Sequence, residues 1–129
     1  MRTINKLILH CSDSNISSHD NIETIRGWHV NERGFSDVGY HFFIRTDGTI
    51  EKGRDIDKIG AHCSGQNKNS IGICLHGKEK RDFTGAQFIS LTNLLKALVL
   101  LFPESTTHGH NEFSEKSCPV FDTTLFKTI

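Results

Sequence analysis

Hydrophobic and polar positions alternate along this chain with two distinct periods, and the changes of period mark its elements. From Lys6 to His10 the period is two, with Leu7 and Leu9 on one face and Ile8 and His10 on the other. A strand that is apolar on both faces belongs inside a sheet covered on both sides. Ser12 to Ser18 is polar and reads as a loop. A helical period follows: Asp20 and Glu23 stand at capping-box spacing, Ile22, Ile25 and Trp28 or His29 form an apolar stripe, and Gly34 is the expected stop. Val38 to Arg45 is rich in aromatic and branched residues, and Asp47-Gly48 then turns the chain into Thr49-Ile50-Glu51, a hairpin signal.

Residues 53–70 are polar and glycine-bearing, without periodicity, and predict a long surface loop. Ile71 to His76 is the next strand. Thr84 and Gln87 form a second capping box before the strongest helical pattern in the chain: Phe88, Leu91, Leu94, Leu95, Leu98, Val99 and Phe102, closed by Pro103. Ser105 to His108 predicts a short strand and Asp122 to Phe126 a last short helix. This order predicts an α/β fold with a mixed central sheet of parallel and antiparallel strands, flanked by helices. The hairpin requires one antiparallel pair, so the sheet is not purely parallel.

Composition narrows the class. With 129 residues and 36% apolar content, one core and a single domain over 1–129 are expected. Lys plus Arg equals Asp plus Glu at 15 each, so overall charge gives no reason to expect a nucleic-acid partner. No apolar run approaches the roughly 18 residues of a membrane span. The apolar stretch Leu7 to Leu9 is too short for a signal-peptide core, so a soluble chain made in the cytoplasm is expected, with delivery elsewhere depending on another route. Cys11, Cys63, Cys74 and Cys118 form neither a CxxC pair nor a disulfide framework and are expected to be reduced. Cys74, within Ile71-Gly72-Ile73-Cys74-Leu75, reads as a buried small hydrophobe.

The candidate chemistry lies in the late segment from His110 to Cys118-Pro119. Imidazole and thiolate together suit zinc, and His10, at the end of the first strand, can be presented over the same sheet edge. Ligands drawn from distant parts of the chain describe a fold-assembled site, unlike the short local pairs of a zinc finger. His108 and His110 are two apart and share a face if both lie in a strand, so either can reach a metal. No His-Glu-x-x-His motif is present, and Glu112 and Glu115 are near the site in sequence only. The His-x-Glu and Pro-Cys-x-x-Cys pattern of zinc deaminases is absent as well.

The segments Leu9-His10-Cys11-Ser12, Asp37-Val38-Gly39-Tyr40-His41-Phe42, Asp47-Gly48-Thr49, Gly53-Arg54, Asn69-Ser70-Ile71-Gly72 and His110 to Cys118-Pro119 resemble the type 2 N-acetylmuramoyl-L-alanine amidases. Peptidoglycan-recognition proteins are relatives of that family, and the likeness is greatest to the small phage amidases historically called lysozymes. The resemblance runs in consistent order over roughly residues 6–126. It implies an amidase/peptidoglycan-recognition-protein-like fold, a Zn2+ cofactor, and His10, His110 and Cys118 as ligands, leaving His108 outside. It places the family's catalytic tyrosine on Tyr40 and its catalytic lysine on Lys116.

Those residue types suit the reaction implied. Three protein ligands leave zinc a fourth position, where water can be activated and an amide carbonyl polarised. Tyr40 can hydrogen-bond the developing oxyanion, and Lys116 can stabilise the same charge and assist proton transfer to the leaving amine. The polar loops from His62 through Asn69 and from Asp13 to Ser18 are expected to wall a groove for stem peptide and muramic acid. His62, Arg54 and Asn69 are the candidate substrate contacts within that reading, and His62 has two other readings open to it: support of the metal site from behind the ligands, or a plain solvent-facing loop histidine.

The implied function is zinc-dependent hydrolysis of the amide joining N-acetylmuramic acid to L-alanine in bacterial peptidoglycan. A peptidoglycan-binding module without catalysis is the alternative, and relatives that lack the cysteine ligand are of that kind; this chain keeps it. A structurally metallated adaptor would need a fourth protein ligand, with His108 or Cys11 the obvious suspects. A monomer acting on peptidoglycan or muropeptides is expected, with no membrane insertion. Some small phage relatives also bind an RNA polymerase, and neither the resemblance nor the neutral charge decides whether this chain does.

Overall fold

Leu7 and Ile8 point to opposite sides of one strand, and both are fully buried. That pair of neighbours requires packed layers on both faces of the sheet, and the computed structural model, which describes residues 2–129, supplies them. Strands β1 (Lys6–Cys11), β2 (Phe42–Ile44), β3 (Ile50–Lys52), β4 (Ser70–Leu75) and β5 (Thr106–Gly109) form one sheet in the order β3-β2-β4-β1-β5. β1 is parallel to both β4 and β5, β2 is parallel to β4, and only β2 and β3 are antiparallel. The mixed sheet expected from the Asp47-Gly48 hairpin is therefore present. Gly48 takes φ 89°, a left-handed conformation that suits glycine.

The long helix α2 (Gly85–Leu101) covers one face, where Leu91, Leu95 and Leu98 pack with Leu7, Leu9, Ile44, Ile71, Ile73 and Leu75. Truncating one of these leucines to alanine would cost about 2–5 kcal/mol through lost contacts and a residual cavity. The expected capping box is formed: the Thr84 hydroxyl accepts from Gln87 N at 3.1 Å, and Gln87 Oε1 accepts from Thr84 N at 3.0 Å. Gln87 does more than cap. Its fully buried side chain donates to the carbonyls of Ile44 and His76, tying α2 to the ends of β2 and β4.

The short helix α1 (Ile22–Gly27) covers the opposite face, with Ile22 and Ile25 packed beside Val38, Phe43 and Cys74. Its N-cap differs from the expected Asp20-Glu23 box. Asn21 is the cap, its side chain accepting from Thr24 N at 2.8 Å, while the Asp20 carboxylate accepts from Thr46 N at 3.0 Å. Asp20 is therefore spent on a tertiary contact and Asn21 satisfies the helix. After Gly27 the chain widens into a π-helical turn, Trp28–Glu32, and Gly34 follows at φ 72°. The other elements lie within a residue or two of expectation, except that Val38 to His41 is not regular strand and Asp122 to Phe126 contracts to a 3-10 turn, Thr124–Phe126.

Layering places the chemistry. His10, Gly72, Cys74 and Phe43 project to the α1 face, and His10 stands in register beside Cys74 near the carboxyl end of β1. Crevices at the carboxyl ends of parallel strands are where open α/β sheets bind ligands.

Candidate metal centre and groove

Three donors meet at that end of the sheet. His10, from β1, is 1% exposed, and His110 begins the 3-10 turn that follows β5. Cys118 returns from the loop beyond. One donor atom from each lies within 4.8 Å of the other two, and among the described residues no other group of three such side chains is so placed. Donors set about 2.0–2.3 Å from a shared tetrahedral zinc stand roughly 3.5 Å apart, so small side-chain rotations bring these three to an ion. The donor set of two nitrogens and one sulfur suits zinc, and the absence of a fourth protein donor from the group matches an open site.

Each donor is held by its neighbours. The Cys118 sulfur accepts the backbone N–H of Cys11 at 3.1 Å. His10 lies against His110 and Tyr40, with ring centroids at 4.6 and 5.0 Å. Burial, reinforced by the charges of His62, His110 and Lys116, holds the His10 pKa well below its ordinary value, and burial with Lys116 lowers that of His110. Both imidazoles are thus neutral, with lone pairs for a cation. Cys118 differs: contact with the Cys11 thiol and burial push its pKa up, so the thiolate needs the cation beside it.

His108 is occupied elsewhere. Its Nδ1 is 3.0 Å from Glu112 Oε1 and its Nε2 is 2.6 Å from Thr106 Oγ1. Glu112 is also committed, since Oε2 accepts from Gly109 N at 2.8 Å and from Lys127 Nζ at 2.8 Å. These bonds remove Glu112 as a free proton acceptor and His108 as a rival donor. Cys11 touches Cys118 but stands outside the donor group, so neither suspect supplies a fourth ligand.

A groove of about 900 Å³ opens over the donors, and Tyr40, His62, His110, Lys116 and Cys118 all line it. Tyr40 is carried on Gly39–His41, a segment pinned to β4 by the bond from His41 N to Gly72 O at 2.9 Å. Burial and the neighbouring Cys74, Cys118 and Cys11 raise the Tyr40 pKa well above 10. Tyr40 is therefore a neutral hydrogen-bonding group at ordinary pH. Cys74, buried as expected, is also the neighbour of that hydroxyl.

The three candidate substrate contacts separate. His62 lines the groove, but its ring nitrogens face His10 and Ser70. Arg54 lies away from it and spends its guanidinium on the carbonyls of Val38, Ile59 and Asp37 at 2.7, 2.7 and 3.3 Å. Asn69 also lies outside the lining, donating to Thr3 O at 2.9 Å, whereas Asn67 lines the groove and accepts from the backbone N–H groups of His62 and Cys63. Of the expected wall from Asp13 to Ser18 only Asp13 lines the groove, beside Cys11 and Ser12. Arg33 and Phe35, unmarked in the sequence, also line the groove and follow directly on the π-helical turn.

Residues 1–121 match the family described as N-acetylmuramoyl-L-alanine amidase. Among curated proteins, the chain is similar to the endolysin of Escherichia phage T7, 43% identical over 122 residues that cover 90% of this chain and 80% of the relative. It is 42% identical to the endolysin of Enterobacteria phage T3, over 93% of this chain and 83% of that protein. Among solved structures, the N-acetylmuramoyl-L-alanine amidase LysC from Clostridium intestinale superposes with a TM-score of 0.80 at 28% identity, covering 97% of this chain and 82% of the other. The Ph2119 endolysin of a Thermus scotoductus bacteriophage superposes at 0.87 over 97% and 83% of the two chains; at 24% identity it supports the fold.

Proposed function

The chain belongs to the N-acetylmuramoyl-L-alanine amidase family, and from that membership and its three-donor site we propose that it cleaves the amide between N-acetylmuramic acid and L-alanine with zinc held by His10, His110 and Cys118. Amide hydrolysis in peptidoglycan is the activity of the family; the observation that carries its catalytic form here is the convergence of two neutral imidazoles and one cysteine. Zinc bound there would supply a Lewis acid that lowers the pKa of water and polarises the scissile carbonyl.

The chain's own residues do the rest. Tyr40, kept protonated by burial, donates a hydrogen bond toward the oxygen on which negative charge develops. Lys116, at the groove rim, adds positive charge to the same region and delivers a proton to the leaving amine of L-alanine. The Cys11 backbone N–H holds the Cys118 sulfur in place, so the donor from the late loop is fixed to the strand that carries His10. Arg33 and Lys78 line the groove and offer cations to the carboxylates of a stem peptide.

Digestion of purified peptidoglycan followed by mass analysis tests this reading, together with metal content of the same preparation. The expected products are stem peptides with a free L-alanine amine and glycan strands that retain intact lactyl groups, with about one zinc per chain by the open-site stoichiometry. Binding of muropeptides by zinc-loaded protein without cleavage would instead establish a recognition module.

A further inference from the structure

His62 has no nitrogen left for a substrate. Its Nδ1 lies 2.8 Å from His10 Nε2, and its Nε2 lies 3.1 Å from the hydroxyl of Ser70, which is fully buried. The ring stands edge-on to His10, with centroids 4.9 Å apart. Its backbone is fixed as well, because Asn67 Oδ1 accepts from the N–H groups of His62 and Cys63, each at 2.9 Å. On β4 the ring rests over Gly72, where an added Cβ would come within 2.5 Å of it. A glycine here leaves the space that the imidazole fills.

We propose that His62 is a positioning residue for the metal ligand His10, and that Ser70 holds the His62 ring in the orientation in which it acts. The inference rests on the metal-site reading above. A histidine ligand gives one ring nitrogen to the ion and keeps a proton on the other. With His10 Nε2 turned to His62, the nitrogen left for a metal is Nδ1, so Nε2 carries the proton and donates it to His62 Nδ1. His62 then carries its own proton on Nε2 and donates to Ser70 Oγ. The series Ser70, His62, His10 thus holds the ring orientation of a ligand and accepts the proton it keeps, the role that carboxylates or carbonyls take behind most metal-bound histidines. Of the readings the sequence leaves open for His62, these contacts favour support of the metal site over substrate contact.

The test measures zinc affinity by competition with a chelator, and His10 tautomer by 15N NMR, in the wild-type chain and in His62→Asn, His62→Leu and Ser70→Ala. The side-chain oxygen of asparagine can replace Nδ1 as acceptor; leucine cannot. His62→Leu is expected to weaken zinc binding 10- to 100-fold, the usual cost of losing such a partner. His62→Asn should restore most of that loss, and Ser70→Ala should fall between, with the NMR spectrum placing the His10 proton on Nε2. Wild-type zinc affinity in His62→Leu with a raised KM for muropeptides would overturn the proposal in favour of substrate contact, as would His62→Asn binding zinc no better than His62→Leu. Circular dichroism checks folding, and if His62→Leu fails to fold, Ser70→Ala and the wild-type tautomer decide: unaltered affinity in Ser70→Ala together with a His10 proton on Nδ1 overturns it. A wild-type chain that binds no zinc would refute the metal centre itself, a result distinct from any of these.

Discussion

The backbone N–H of Cys11 donates to the Cys118 sulfur at 3.1 Å, so the residue next to one candidate ligand holds another from the far end of the chain. This bond comes from the main chain and survives replacement of the Cys11 side chain. Cys11→Ser should therefore retain zinc and most of its turnover. Cys118→Ala removes a donor and should lose both, as measured by metal analysis and muropeptide release. Equal loss in the two variants would show that the Cys11 thiol, not its amide, is what matters.

Tyr40→Phe should separate metal binding from chemistry. Burial keeps the phenol protonated beside the groove, and its removal takes away a hydrogen bond without removing a ligand. The expected outcome is unchanged zinc content with kcat lowered about 10²–10³-fold, the range for losing one oxyanion donor. Steady-state kinetics on a defined muropeptide provides the measurement.

Arg54→Ala should act on stability and leave substrate affinity alone. Three main-chain carbonyls receive its guanidinium, from segments that shape the Tyr40 loop. Losing them should cost about 2–3 kcal/mol, since hydrogen bonds from a charged donor are the stronger kind. Denaturant unfolding would register that loss, and KM should stay near the wild-type value.

Gln87→Leu should likewise destabilise by about 2–3 kcal/mol, because two buried carbonyls, those of Ile44 and His76, lose their donor. The same substitution removes half of the capping box at Thr84. Thermal melts would show the loss while zinc content at low temperature remains that of the wild type.

Acid should destabilise the metal-free protein before most carboxylates titrate. His41 is fully buried, with Nδ1 accepting the Gly72 N–H at 3.0 Å, and burial lowers its pKa to about 4 against the partly offsetting Lys58 carbonyl. The unfolded chain takes up this proton near pH 6.5, the native chain only near 4. Stability from His41 is therefore complete above about pH 6.5, declines as pH falls toward 4, and declines no further below it. Burial places His29, at about 4, and His62, at about 3, on the same side of the balance. Melting temperatures of chelator-treated protein should fall across this window, and His41→Asn should flatten the slope.

Local patterns determined much of this protein. Alternation in Leu7 to His10, the Asp47-Gly48 turn and the Thr84-Gln87 box each act over a few residues, so they were legible as strand, hairpin and helix start. The resemblance carried by His10, Tyr40, Lys116, His110 and Cys118 also lay in the linear chain; the fold brings the last four to one groove and buries His10 beside His110 and Cys118. Tertiary structure alone decided which polar side chains were still free to act there. Asp20 left the helix cap for Thr46 N, Glu112 was consumed by His108 and Lys127, and Arg54 turned to the carbonyls of Asp37, Val38 and Ile59. Each outcome depends on which donors and acceptors the fold brings within reach, and most of those partners lie far along the chain. His62 is the sharpest case: the sequence left substrate contact, support of the metal site and a solvent-facing loop position all open, and only packing over Gly72 set it between Ser70 and His10.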